Sequence, residues 1–474
     1  MTKIKIEDLK NRLKNNFGVR YREIECDEGT IYIVYIDDLC DKKFISEYIV
    51  APLIKNLKLC SNIEQIKKNI LMSSFVEYAL SLDDAVAQIL SANTIVLFDF
   101  LEKALWCDTK GFTKRNIDIP ITETVIKGPR EGFNEVLVDN LSAIRRRIKS
   151  PNLKVEQLIV GLESNTLAVM IYIDGSAPQK LIDYVRNGIN NLNKKLKNGF
   201  VFDSNIISEE LCKSSSPFDT VGYTEKPDIA CSKLSEGRVI VLVDGDPFAV
   251  TAPYFFIENF QSSDDYNLNK YMGNMGRILR WISFIISTFA PGMYLALVTY
   301  HFRLIPTTYL FRMAIFRAGV PVPTIVELLY MTLFFQIIRE AGVRLPQPIG
   351  PTLSIVGALI LGDAAVRSGL SSQVTVVVVA ISSITSYLLP KMHAALFIWN
   401  LIFIAFSGFL GLPGFFMSFV VFIAHLSGLT TCNYPYLYPL GTMKKFKYND
   451  VISRGSLSKI SSKIFMEDKS NENN

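Results

Sequence analysis

The sequence predicts an α/β cytosolic domain of two subdomains followed by an all-α polytopic transmembrane domain. Hydrophobic residues make up 49% of the 474-residue chain and charged residues only 20%. The mean hydropathy of +0.25 is high for a water-soluble chain of ordinary composition. The apolar residues are also concentrated: between Ile282 and Thr431 Lys, Arg, Asp and Glu are sparse, whereas the stretch before Arg277 is richly charged. Finally, that polar half alternates β-branched and aromatic runs with segments whose apolar residues recur at helical spacing, the signature of strands and helices packed in layers.

The N-terminus, MTKIKIEDLKNRLKNNF, is charged and helical in pattern and lacks the apolar core and small-residue cleavage site of a secretory signal, which predicts a cytosolic polar half. TIYIVYI from Thr30 to Ile36 reads as a strand, and DDLCDKKFISEYIVAPLI after it as a helix. The same alternation returns as NTIVLFDF from Asn93, as LKVEQLIVG and TLAVMIYIDG, and as SAPQKLIDYVRNGINNL, where Leu181, Val185, Ile189 and Leu192 share a helical face. Two subdomains meeting near Ser150 and Pro151 follow from it.

Residues 128–149, GPREGFNEVLVDNLSAIRRRIK, predict an amphipathic helix with Phe133, Leu137, Leu141, Ile144 and Ile148 on its apolar stripe. Glu131 and Glu135 fall in its early turns and Arg145, Arg146 and Arg147 end it, the polarity that suits a helix dipole. The three arginines are therefore either ordinary dipole-matched surface charges or an assembly interface. The stretch from 214 to 230 has the Ser, Pro and Gly content of a connector, and RVIVLVDGDPFAVTAPYFF reads as strand, turn, strand. Asp244 and Asp246 there lack a third ligand at metal-binding spacing, so a turn on Asp-Gly is expected.

Ile278 to Tyr300 is apolar and longer than the ~20 residues that cross a bilayer, and Lys270, Arg277 and Arg280 place its start on the cytosolic side. Further segments follow at Thr324–Ile338, Ile349–Val366, Leu370–Leu389, Ala394–Leu410 and Leu412–Thr431. The intervening 301–323 is amphipathic and broken by prolines, so it either lies outside as a loop or rests in the interface, with four full crossings and the short segments re-entrant. An even number of crossings puts the tail, with Lys444, Lys445 and Lys447, back in the cytosol. The predicted layout is residues 1–150 and 151–270 for the two cytosolic subdomains, the second with its connector, 271–440 for a membrane domain of four to six segments, and 441–474 for a basic cytosolic tail.

Ionisable residues at membrane depth are costly and usually face a bundle interior or a wet cavity, which makes Glu327 and Asp363 pore or gating candidates. The opposing readings are a buried pair with a neighbouring helix for Glu327 and an i, i+4 pair with Arg367 for Asp363. Ser354, Ala358, Gly362 and Ala365 recur at helical spacing in TLSIVGALILGDAA, a small-residue stripe that serves either close helix packing or, in a ring of subunits, a narrow aqueous path.

Several classes are disfavoured. A net charge of +5 dispersed over this length gives no argument for nucleic acid. Seven cysteines at irregular spacing without Cys-x-x-Cys suggest neither disulfides nor zinc. No phosphate-binding loop, nucleophile elbow or metal-ligand cluster is present in the sequence, and His301, His393 and His425 are far apart, so neither catalytic residues nor a metal or other cofactor are expected.

The succession GPREGFNEVLVDNLSAIRRRIK, SPFDTVGYTEKPD, EGRVIVLVDGDPF, FFIENFQSSDDY, REAGVRLPQPIGPTLSIVGALILGDAAVRSGL and CNYPYLYPL resembles the A subunits of GerA-type germinant receptors of endospore-forming bacteria, over residues 30 to 440 and in the family's order. Departures are a short N-terminus and SPFD where SPFP is usual. The resemblance implies a multi-pass subunit of the spore inner membrane, not an enzyme, working with a transporter-like B subunit and a lipoprotein C subunit. It also implies homo-oligomers forming a nutrient-gated cation channel. A non-conducting scaffold is the alternative. A secondary transporter is disfavoured because residues 278–431 show no internal repeat.

Overall fold

The computed structural model describes residues 4–56, 62–111, 123, 125–161, 163–195, 203–212, 215–345, 349–441 and 450–455, with side chains for all of these except 349–355. They form two compact units, the first holding the chain up to Pro253 except for 214–220, the second holding 214–220 and the rest of the described chain.

The first unit contains two five-stranded antiparallel sheets. In one, β1 (Val19–Cys26), β2 (Gly29–Ile36), β3 (Val76–Ala79), β4 (Asn93–Phe98) and β5 (Ala104–Asp108) lie in the order β1-β2-β4-β5-β3. In the other, β6 (Leu153–Val160), β7 (Thr166–Ile173), β8 (Gly222–Thr224), β9 (Val239–Val243) and β10 (Ala249–Ala252) lie in the order β6-β7-β9-β10-β8. The helices complete a repeat. After α1 (Ile6–Arg12), the first sheet has α2 (42–55) and α3 (63–70) before β3, then α4 (Leu82–Leu90). Past α5 (Leu137–Arg147), the second has α6 (Gln179–Lys195) and α7 (Asn205–Leu211) before β8, then α8 (Pro227–Ser235). Each half is thus one ββααβαββ succession, each sheet with its third strand at the edge beside its fifth.

The expected strands and helices form where the periodicity places them, and Leu181, Val185, Ile189 and Leu192 are buried on α6. The amphipathic segment is shorter than its periodicity predicts. The Asn140 side chain bonds both backbone groups of Asn134, the Asn134 side chain accepts from the Val136 amide, and Asp244 Oδ1 accepts from the Leu137 amide at 3.1 Å, so the helix starts at Leu137 and leaves Glu131 and Glu135 outside it. Its stripe, Leu137, Leu141 and Ile144, packs with Val155, Val169 and Ile240 of the second sheet and with Leu234 of α8. Asp244 and Asp246 form the anticipated turn, with Gly245 at φ 91° and Asp246 accepting from the Phe248 amide at 2.8 Å.

The described thiols of the first unit divide by depth. Burial pushes Cys40 up to about 11 and Cys107 and Cys231 up to about 12, while Cys26 and Cys212 are half-buried. At pH 8 iodoacetamide is expected to modify Cys26 and Cys212 first and to reach Cys40, Cys107 and Cys231 only on denaturation. Peptide mass mapping over time checks this, and early modification of Cys107 would contradict the assigned core.

The second unit is helical. It comprises α9 (Lys270–Thr299), α10 (Thr307–Arg317), α11 (Thr324–Arg344), α12 (Ile349–Arg367), α13 (Gln373–Ser386), α14 (His393–Leu410) and α15 (Leu412–Gly428). Every predicted membrane segment is a helix. Among the described residues, Lys270–Thr299 and Pro390–Leu410 are long and apolar enough to cross a membrane, and α13 and α15 are shorter apolar helices. Within 301–323, α10 exposes Phe311 and Ile315 by 71% and 72%, and none of its residues is buried.

Aromatic rings fill one end of the core. Phe260 stacks on Trp281 with centroids 3.7 Å apart, and Phe218, Phe256, Phe422 and Tyr436 lie edge-on or tilted around them. Phe218 comes from the stretch expected to be a connector. The SPF triplet is instead anchored, with Phe218 buried and Ser216 Oγ 3.0 Å from His425 Nε2. At the middle of α9, Gly292 lets α14 approach so closely that a Cβ there would sit 2.9 Å from Phe403 Cβ. One residue earlier, Pro291 has no N–H to give the Ser287 carbonyl. That carbonyl accepts instead from Ser382 Oγ of α13 at 2.9 Å and Asn400 Nδ2 of α14 at 3.0 Å.

Candidate functional site

The arginine cluster on α5 is split by its surroundings. Arg145 is buried, and its guanidinium donates to Asp38, to Asn16 Oδ1 at 2.6 Å and to the Phe17 carbonyl. It ties the second sheet's helix to the first sheet's loops, where Phe17 N also bonds Val155 O of β6 at 2.9 Å. Burial raises the Asp38 carboxyl above the usual carboxylate range against the pull of Arg145. These donors of Arg145 are spent inside the unit. Arg146 and Arg147 both reach Glu131, Arg147 at 2.5 Å. Burial opposes ionisation of Glu131, but the guanidinium groups of Arg147 and Arg146 outweigh it and hold the carboxyl below its ordinary value. These two remain partly exposed at the surface.

In the helical unit Glu327 occupies the first turn of α11 and is fully buried. Its Oε1 accepts from Ser371 Oγ at 2.9 Å and from the backbone N–H of Ser372, the N-cap of α13. A carboxylate on the positive end of a neighbouring helix is electrostatically favoured. Its partners are thus a hydroxyl and an amide, not an arginine. Among the described residues Oε2 has no partner, so Glu327 keeps one acceptor open inside the bundle. Ser372 Oγ continues the polar chain to Thr375 Oγ1 at 2.9 Å, and Thr375 lies 3.2 Å from the Tyr294 hydroxyl of α9.

The small-residue stripe lies on α12. A Cβ added to Gly362 would meet Val376 of α13 at 3.6 Å, and one on Gly357 would meet Ile338 of α11 at 3.9 Å. Ala365 is buried in the cluster with Leu328, Met331 and Val379, while Ala358 is half-buried. Small side chains here admit neighbouring helices of the same chain. The Ser354 side chain lies outside the described residues. Asp363 pairs with Arg367 at 2.9 Å, both largely exposed, and Val356, Leu359 and Ile360 also face outward.

A second charge cluster escaped the sequence. Arg277, fully buried on α9, donates to Asp265 at 3.1 Å and to Asp450 at 2.5 Å; Arg280 also reaches Asp265, and Tyr266 OH donates to Asp450. Asp265 and Arg277 are 12 apart across a turn, and Asp450 lies 173 residues away, a pairing that no local periodicity signals. The Ser371-Ser372 pair was more legible, since serine before an apolar run is a helix-start signal.

Over residues 7–464 the sequence matches the family described as Bacillus/Clostridium GerA spore germination protein. Spore germination protein KA of Bacillus subtilis is 35% identical over 458 residues, spanning 95% of this chain and 83% of that one. Spore germination protein A1 of Bacillus subtilis is 32% identical, spanning 94% and 91%. GerLA of Bacillus cereus is 32% identical, spanning 86% and 83%. Among solved structures, the N-terminal domain of the A subunit of the Bacillus megaterium spore germinant receptor GerK3 is 26% identical, with a TM-score of 0.41 over 53% of this chain and 94% of that one. The chain belongs to the GerA family of spore germination protein A subunits.

Proposed function

We propose that this chain is the A subunit of a nutrient germinant receptor in the spore inner membrane, and that several copies associate into a nutrient-gated cation channel with α12 at its lumen. A transporter-like B subunit and a lipoprotein C subunit complete the assembly, with the first unit and the tail on the cytosolic side. Family membership supports the receptor role. The observation that supports conduction is α12 itself: one face packs on α11 and α13 through small residues, while the other presents Leu359 and Ile360 outward and ends at exposed Asp363 and Arg367. A helix attached along one face and ending in a carboxylate is suited to line a path shared between copies.

The test is cation leak from liposomes holding the reconstituted protein, with oligomer size followed in parallel. Leu359→Ser, on the outward face, is expected to alter the leak without altering assembly, and Asp363→Lys to reduce it. Assembled oligomers whose leak ignores both changes would remove α12 from the path and favour a non-conducting scaffold.

A further inference from the structure

The helical unit holds a polar cavity apart from Glu327 and α12. It measures about 30 Å³ and lies between α9, α11, α13 and α14, lined by Ser287, Thr332, Gln336, Arg339, Ser382 and Asn400 among others. That volume accommodates about one or two water-sized groups. The lining is over-supplied with unmatched polar atoms. Thr332 and Asn400 are 5% and 6% exposed, yet Thr332 Oγ1 and Asn400 Oδ1 have no hydrogen-bond partner. Arg339 Nη1 is likewise shut off from solvent without an acceptor. Leaving a charged donor buried and unmet costs about 1–3 kcal/mol or more, so a site of this kind is stabilised by whatever brings the missing acceptor.

The charge balance decides what that is. Among the described residues no aspartate or glutamate lines the cavity. Glu340, next to Arg339 in sequence, is turned to Arg344 at 2.6 Å. The guanidinium is held in place by the Tyr387 ring, whose centroid is 5.2 Å away. His393 is fixed 2.9 Å from Gln336 Oε1 and 3.1 Å from Ser386 Oγ, so it braces the wall. A cation would meet a fixed positive charge with no counter-charge, and a zwitterion would leave its ammonium unmatched. A single compact negative group meets Arg339 and accepts from the Thr332 hydroxyl, while Asn400 Oδ1, itself an acceptor, is left to a water or another donor.

We propose that this cavity binds a small monovalent anion, either a halide or a small carboxylate. The assignment does not depend on conduction. The test uses the full chain in a non-ionic detergent, with chloride-35 NMR linewidth as the readout. Excess broadening is expected with the wild-type protein and is expected to be titrated away by formate. Arg339→Gln should weaken chloride binding by about tenfold or more, the loss of one charge-assisted hydrogen bond. Arg339→Lys, which keeps charge and stem but loses the fork, should weaken it less, and it serves if the glutamine variant does not fold. Arg312→Gln on exposed α10 should leave binding unchanged. Propionate competing as well as formate identifies the carboxylate source, and formate alone the halide-sized one. No excess broadening, or broadening equal in wild type and both Arg339 variants, overturns the proposal.

Discussion

Leu141→Asp is expected to abolish cooperative folding of the first unit. Leu141 is 1% exposed and packs among Val155, Val169, Leu234 and Ile240. The substitution adds an unpaired buried charge to a lost leucine, and either alone is destabilising by several kcal/mol. Together they should cost about 4 kcal/mol or more, much of the 5–15 kcal/mol that a domain typically has. Val138→Asp is the control, three positions earlier on the same helix and 46% exposed, with an expected change within about 0.5 kcal/mol. Hydrogen exchange of β6, β7 and β9 in the full chain reads both. Protected strands in the Leu141 variant would show that the stripe is not buried.

The second large effect is expected at the base of α9. Arg277→Met leaves Asp450, which is 1% exposed, without its guanidinium. Breaking one partner of a buried pair typically costs about 3–5 kcal/mol, because the other charge stays buried. Arg277→Met with Asp450→Leu removes both charges, and should recover part of that loss, since an apolar pair of similar volume is often no worse than the ion pair. The thermal midpoint of the detergent-solubilised chain should therefore fall steeply in the single variant and rise again in the double. A double variant no better than the single would mean that Arg277 acts through Asp265 alone.

Most of the secondary structure was legible because it rests on local periodicity. Alternation in TIYIVYI and TLAVMIYI, and helical spacing in SAPQKLIDYVRNGINNL, report which face is wet, and that is a property of adjacent residues. What fails is whatever depends on a distant partner. The start of α5 is set by Asp244, 107 residues away, so the stripe alone extended the helix too far. Arg145 looked like its two neighbours in sequence but is buried because Asp38 waits beneath it, whereas Arg146 and Arg147 point to Glu131. The small residues of α12 were visible in the sequence; that Gly362 approaches α13 and Gly357 approaches α11 of the same chain required the bundle. Phe218 read as linker because Ser and Pro surround it, and only the aromatic end of the helical unit explains why that linker is anchored.

The missing amide at Pro291 has a mechanical consequence. An unbroken helix transmits twist along its own ladder, but at Ser287 the ladder of α9 is closed by a hydroxyl from α13 and an amide from α14. The two halves of the rod are coupled there through borrowed parts, so torsion in one half is felt as a pull on Ser382 and Asn400 before it reaches the other. The joint is a universal coupling, and its stiffness belongs to the neighbours that hold it.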